Sequence, residues 1–131
     1  MTFSTIGKKN FINIGMTNCQ GLRNKHDEPL TIGLINENDI LGVTETWLSD
    51  TDKITVPGYK FVPLNRKKQK GCSRGGIGIF VRNEIQEFIK FRMDLSTEIV
   101  IFCTIDKNCV SLPEDLILGI VYIPPNFHLG N

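Results

Sequence analysis

The stretch Asp39-Ile-Leu-Gly-Val-Thr-Glu-Thr-Trp-Leu48 constrains this chain more than any other. It reads as a buried strand of apolar residues that ends on a carboxylate. Leu41 and Val43 occupy alternate positions, and Glu45 is the next side chain in that series. Strand side chains alternate between faces, so a strand continuing through Glu45 would place it in a core-facing row. A carboxylate there is costly unless it is paired, hydrogen-bonded or bound to a cation. The other reading ends the strand by Val43 and leaves Glu45 facing water, for example as a helix cap. Both readings are open at this level.

Two further stretches follow the same pattern. In Phe11 to Asn18, the residues Ile12, Ile14 and Met16 are in step, and Asn18 comes next. In Leu116 to Tyr122, Leu118 and Ile120 are in step and Tyr122 follows. Each apolar row ends on a polar group: a carboxamide, a carboxylate and a phenol. If the three strands share one sheet and one direction, these groups converge on one rim. Ligands of open α/β sheets bind outside the carboxyl ends of strands, so a site is expected there.

The 131 residues suffice for one domain with a substantial core. A hydrophobic content of 40% argues against both a disordered chain and a membrane protein. No apolar run approaches the roughly 18 residues of a spanning helix. The first ten residues lack the charged start and apolar core of a signal peptide, so an intracellular location is expected. Cys19, Cys72, Cys103 and Cys109 form no Cys-x-x-Cys pair, and His26 and His128 lie far apart. That argues against a structural zinc site and for reduced thiols.

The net charge of +1 conceals an asymmetry. Arg66, Lys67, Lys68, Lys70 and Arg74 place five positive charges within nine residues that hold no acid. Outside this cluster, 10 basic residues face 14 acidic ones, a balance of −4. Such a loop can attract a polyanion. It can equally be a solvated loop tip.

In chain order, residues 1–9 read as a polar leader and the first strand as about Asn10 to Asn18. Cys19 to Leu22 makes a turn. A helix is predicted from near Asp27 or Glu28, with Pro29 in its first turn and Leu30, Ile32, Leu34 and Ile35 on its apolar face. Asn36 to Asp39 stops it. Strand, helix, strand implies a parallel pair with a right-handed crossover. Tyr59 to Leu64 and the glycine-opened Gly75 to Arg82 are further strands, joined by the basic loop. The glycines of Gly75-Gly-Ile-Gly78 fit a tight turn and close packing, not a dinucleotide fingerprint. Ile85 to Met93 and Glu98 to Ile105 read as an antiparallel pair. Asp106 to Pro113 turns the chain into a last strand, Asp115 to Ile123, which Pro124-Pro125 ends.

These pieces together resemble the first half of an endonuclease/exonuclease/phosphatase domain. More narrowly, they are similar to the endonuclease of non-LTR, LINE-like retrotransposons. The match rests on an ordered set of motifs. It begins with Thr17-Asn-Cys-Gln-Gly-Leu22, Asn24-Lys25 and Asp27-Glu28. It continues with Asp39-Ile40, Thr44-Glu-Thr-Trp-Leu48 and Pro57-Gly-Tyr59. It closes with Arg74-Gly-Gly-Ile-Gly-Ile-Phe-Val-Arg82, Glu98 and Val121-Tyr-Ile-Pro-Pro125. The Glu-Thr-Trp-Leu and Pro-Gly-Tyr segments favour the retroelement branch over the DNA-repair branch, and over the related phosphatases and sphingomyelinases. The fold so implied is α+β, the N-terminal half of a four-layer α/β sandwich. Its sheets would be mixed and mostly antiparallel, with one strand-helix-strand crossover. Residues 10–131 would form this partial domain.

The resemblance also implies roles. Glu45 would be the principal ligand of a divalent cation, Mg2+ or Mn2+, and Asn18 would help hold the metal and the reacting phosphate. Tyr122 would contact the scissile phosphate. Glu98 would pair within the sheet or support the site without touching substrate. Arg66, Lys67, Lys68, Lys70 and Arg74 would lie along a DNA backbone and give salt-dependent affinity. Magnesium keeps several waters and takes hard oxygen ligands, so a single carboxylate can be its main protein anchor. A nuclear location would follow if a retroelement function is retained.

The family continues for roughly as many residues again. That further half carries an Asp-x-Asn motif and a closing Asp-His pair, which would orient the attacking water and bind the phosphate. Nothing in these 131 residues replaces them, and His128 follows the Tyr-Ile-Pro-Pro segment too closely to be the terminal histidine. The expectation is a Mg2+-dependent DNA endonuclease that is catalytically incomplete as this fragment. The alternatives are a non-catalytic module that binds nucleic acid or a protein partner, and a transposon remnant without function. Half of such a sandwich would leave apolar inner sheet surface open, an aggregation hazard or a docking surface.

Overall fold

A computed structural model of the chain describes residues 11–65 and 75–124. The basic cluster at 66–74, Cys72 and His128 lie outside the described residues. The described strands form two sheets. The first contains β1 (Ile14–Asn18), β2 (Ile40–Thr44), β3 (Tyr59–Leu64) and β4 (Ile77–Arg82), in the order β1-β2-β4-β3. The second contains β5 (Ile89–Phe91), β6 (Val100–Ile105) and β7 (Leu116–Val121), in the order β5-β6-β7. Only β1 and β2 are parallel, and the helix α1 (Pro29–Asn36) connects them. All other pairs are antiparallel. This is a mixed, mostly antiparallel α+β sandwich with one crossover.

Register shows why β2 reads as an unbroken apolar run. All five of its residues are buried, as expected of a strand covered on both faces. Ile40, Gly42 and Thr44 register with Val81, Ile79 and Ile77 of β4. This face meets Ile101, Cys103, Ile105 and Ile120 of the second sheet. Leu41 and Val43 face the other way, toward Phe80, Leu22, Tyr59 and Ile35 of α1. The first sheet is therefore a shared wall between an inter-sheet core and a helix-side core.

Glycine permits two close approaches in that wall. A Cβ on Gly42 would meet Ile120 Cδ1 at 2.7 Å, so the missing side chain sets how closely the two sheets pack. At Gly78 the space is taken by the Phe61 ring, which packs on Phe80 with centroids 4.5 Å apart.

Four expectations are corrected. The last strand, β7, lies in the second sheet, so Asn18, Glu45 and Tyr122 do not sit on three strands of one sheet. Residues 83–88 form a 3-10 helix, not the start of a strand, and only Ile89–Phe91 pairs with β6. Ile85 and Phe88 both turn inward there, a spacing of three that suits a 3-10 turn and not a two-residue alternation. Leu30 is 88% exposed, so the buried face of α1 is carried by Ile35, with Ile32 and Leu34 alongside. The first strand begins at Ile14.

Among the described residues the sandwich is open along one side. β1 is an edge of the first sheet and β7 an edge of the second. Ile14 and Met16 share the inter-sheet face with Ile40 and Gly42, yet they are 42% and 54% exposed. The inner face is thus covered over β2 and β4 and left open at β1.

Candidate functional site

The carboxyl ends of β1 and β2 carry two loops, Cys19–Leu22 and Glu45–Leu48. Asn18 is the last residue of β1 and registers with Thr44, the last of β2. Regular alternation would send Glu45 to the helix side with Leu41 and Val43, away from the face on which Asn18 lies. It does not go there, because Glu45 has φ 52°. That left-handed turn takes its side chain out of the strand alternation. The Asn18 Nδ2 group then donates to Glu45 Oε2 at 2.5 Å. The strand ends at Thr44, and Glu45 is half-buried, neither a core residue nor a fully solvated one.

Left-handed backbone is concentrated at this rim. Gln20 has φ 46°, Gly21 98°, Glu45 52° and Trp47 55°. Non-glycine residues seldom adopt this region, and it persists where the surroundings over-determine it. Here they do. The Cys19, Gly21 and Leu22 amides donate to the Thr44, Glu45 and Thr46 carbonyls at 3.0, 2.9 and 2.9 Å. On the other side, Trp47 N donates to Gly75 O at 2.9 Å and Thr46 N to Gly76 O at 3.3 Å. A Cβ on Gly21 would meet Trp47 Cε3 at 2.9 Å, so Gly21 is required by both its φ and its contact with the indole. Trp47 is in this respect a packing residue. Cys19 Sγ donates to Thr44 O at 3.3 Å, and burial pushes this thiol up from its ordinary range.

Beside the rim, Gly21, Arg23, Asn24, Thr46 and Trp47 line a depression of about 170 Å3. The Thr46 hydroxyl is buried without a hydrogen-bond partner among the described residues. Arg23 spans to Asp52 at 2.7 Å. Asp52 also accepts from Ser49 N at 2.8 Å. The Arg23 hydrogen bond, helped by Ser49, lowers the Asp52 carboxyl to about 2.

Tyr122 follows β7 directly and packs against the inter-sheet core. Its amide donates to Ile99 O at 2.9 Å. Ile120, two residues earlier, is the side chain that covers Gly42. Tyr122 therefore belongs to the second sheet's side of the inter-sheet core, and Asn18 and Glu45 are carried by the first sheet. Glu98 is exposed in the turn before β6 and makes no hydrogen bond or ion pair with another described residue. The flanks of the basic segment attach to the rim: Asn65 Nδ2 donates to Asp50 Oδ1 at 3.0 Å, and Gly75 holds Trp47.

Among the described residues no group of three or more His, Cys, Asp or Glu side chains could hold a metal. What the rim offers is one carboxylate and one carboxamide. A carboxylate can only accept, so Asn18 turns its NH2 toward Glu45 and keeps Oδ1 available. Two hard oxygen donors beside solvent fit Mg2+ with most of its water shell retained. They do not fit Zn2+, which wants a closed set of nitrogen and sulfur ligands. No helix among the described residues is long and apolar enough to cross a membrane. Sequence reasoning missed Lys25, the left-handed backbone at the rim and the Arg23–Asp52 tie. The Asn24-Lys25 pair was visible as part of a motif, but the remaining features carry no local signature.

These features sit on a mixed, mostly antiparallel α/β sandwich. The solved structure of an AP endonuclease from Archaeoglobus fulgidus matches the fold with a TM-score of 0.56 at 18% identity. The match covers 92% of this chain and 44% of that protein, so this chain spans less than half the length of its structural neighbour. No family model matches the sequence, and no curated protein matches it.

Proposed function

We propose that this chain carries the metal-anchoring half of a Mg2+-dependent phosphodiesterase site that acts on DNA, in a protein of LINE-like retrotransposon descent. The observation that carries this reading is the Asn18–Glu45 pair at the solvent-facing rim of β1 and β2, in a chain whose fold is similar to that of an AP endonuclease. Glu45 and Asn18 Oδ1 would hold Mg2+ or Mn2+. When bound, the cation would supply positive charge beside a phosphate whose negative charge builds during cleavage. Tyr122 donates its hydroxyl to a phosphate oxygen across the cleft. Arg66, Lys67, Lys68, Lys70 and Arg74 contact the DNA backbone without reading sequence. Water activation needs groups that these 131 residues do not supply, so cleavage by this chain alone is weak or absent.

Titration calorimetry with MgCl2, together with nicking of supercoiled plasmid, tests this reading. The expected result is Mg2+ binding that Glu45→Gln abolishes and nicking that stays near background. Equal Mg2+ binding by both proteins, or none by the native chain, overturns the anchoring role. Efficient Mg2+-dependent nicking that Glu45→Ala removes would overturn the incompleteness.

A second reading rests on the open side of the sandwich. Ile14 and Met16 expose apolar surface on the inner face of β1, and Ile117 and Val121 expose it on the outer face of β7; among the described residues both strands are sheet edges. An exposed apolar edge strand is a template for pairing. The partner favoured here is a second unit that adds a strand at each edge. Met16→Lys should then raise solubility and abolish co-purification with such a unit. Unchanged co-purification would dispose of it.

A further inference from the structure

We propose that Lys25 is a positioning residue for Glu45, acting through the Cys19–Leu22 loop; the link to metal binding rests on the functional reading above. Lys25 is half-buried. Its ammonium donates to Cys19 O at 2.8 Å and to Gln20 O at 3.4 Å. One of these carbonyls enters the left-handed turn at Gln20 and Gly21, and the other lies between its two residues. The amide of Cys19 and those of the next two loop glycine and leucine residues, Gly21 and Leu22, grip the Thr44, Glu45 and Thr46 carbonyls. The Lys25 cation thus fastens one side of a clasp, and the other side is the backbone of Glu45.

A clasp is needed because Glu45 has φ 52° without being glycine. The left-handed state is unfavourable for a non-glycine residue, because Cβ crowds the following carbonyl oxygen. Unless its carbonyl and its neighbours are held, the residue would relax to extended backbone. Its carboxylate would then follow Leu41 and Val43 to the helix side and leave Asn18. Charge-assisted hydrogen bonds are stronger than neutral ones, and a lysine can satisfy two carbonyls from one ammonium. Lys25 therefore holds these two carbonyls more strongly than a neutral donor at position 25 would.

The test compares Lys25→Met and Lys25→Arg with the native 131-residue chain by NMR. Without metal, Lys25→Met should speed hydrogen exchange of the Gly21 and Leu22 amides about tenfold, the scale of a lost charge-assisted hydrogen bond. It should also move the Asn18 carboxamide resonance toward that of a solvated side chain. Lys25→Arg should restore both. A lysine that only stabilised the fold would lower the melting temperature and leave the Asn18 resonance in place. Unchanged exchange and an unchanged Asn18 resonance in Lys25→Met overturn the proposal. An MgCl2 titration of the same samples separates the two claims. If the native chain binds Mg2+, Lys25→Met should weaken that binding about tenfold, consistent with loss of one charge-assisted hydrogen bond. If the native chain binds none while the Asn18 and exchange signatures shift, the metal reading fails and the positioning role stands.

Discussion

β2 has a carboxylate at each end, and the two are treated in opposite ways. Asp39 at the start is 1% exposed. It accepts from Arg82 Nε at 3.0 Å and from the Asn13 amide at 2.8 Å. Arg82 in turn donates to the Asn36 and Asn38 carbonyls at the end of α1 and stacks over Tyr59 at 5.0 Å. The single Tyr59 hydroxyl proton lies within reach of two carbonyls, Ile35 O and Asn38 O, at 2.8 and 2.7 Å. Glu45 at the other end is half-buried, and a neutral carboxamide holds it in place of a cation. A buried charge whose cation is built into the chain serves the fold. One that is oriented, solvent-facing and without an ion pair among the described residues is suited to a cation that comes and goes.

The largest test of this contrast is Asp39→Ala. It leaves Arg82 and the Asn13 amide without their acceptor and should cost about 3–5 kcal/mol in urea unfolding. Glu45→Gln should change stability by less than about 1 kcal/mol. Equal effects at the two ends would break the comparison. Next in size is Gly42→Ala, midway between the carboxylates. Its new methyl group meets Ile120 and should cost about 1–3 kcal/mol through overpacking. Shifts should appear at Tyr122 in the same NMR spectra, because Ile120 precedes it by two residues.

Glu45→Gly sharpens the contrast from the other side. Glycine accepts φ 52° without strain but loses more entropy on folding, so stability should hold or rise by no more than about 1 kcal/mol. Mg2+ binding should vanish all the same. Stability gained where function is lost marks strain maintained for a purpose. A clear loss of stability would mean that the Glu45 side chain serves the fold after all.

The smallest effect concerns Arg23–Asp52. Asp52 has a lowered folded pKa, about 2 against an ordinary 3.8, and Arg23 is the main cause. A depressed carboxyl pKa stabilises the fold at pH above the ordinary value and loses that contribution as the proton binds. The melting temperatures of the native chain and Arg23→Ala should therefore differ slightly at neutral pH. They should converge as pH falls from 3.8 toward 2. Arg23 is 62% exposed, so added salt should also shrink the difference.

By itself the sequence determined the parallel β1-α1-β2 unit, the strand Tyr59–Leu64, the antiparallel pairing of the strand around Ile89–Phe91 with β6, and a helix starting near Glu28 with Pro29 in its first turn. Each of these rests on local signals: apolar alternation, proline and glycine punctuation, and the length of the crossover. Sequence parity also picked out Asn18 and Glu45, though strict alternation would have put them on opposite faces. Only the tertiary structure decided that β7 belongs to a second sheet, because one apolar strand fits any apolar partner until the layers pack. It also decided that 83–88 coils and that Leu30 faces water. Above all it decided the left-handed backbone at Glu45. No residue type at that position announces it. It exists because the Gly21 amide holds the Glu45 carbonyl while the Gly76 and Gly75 carbonyls, distant in the chain, hold the amides of Thr46 and Trp47 that follow it.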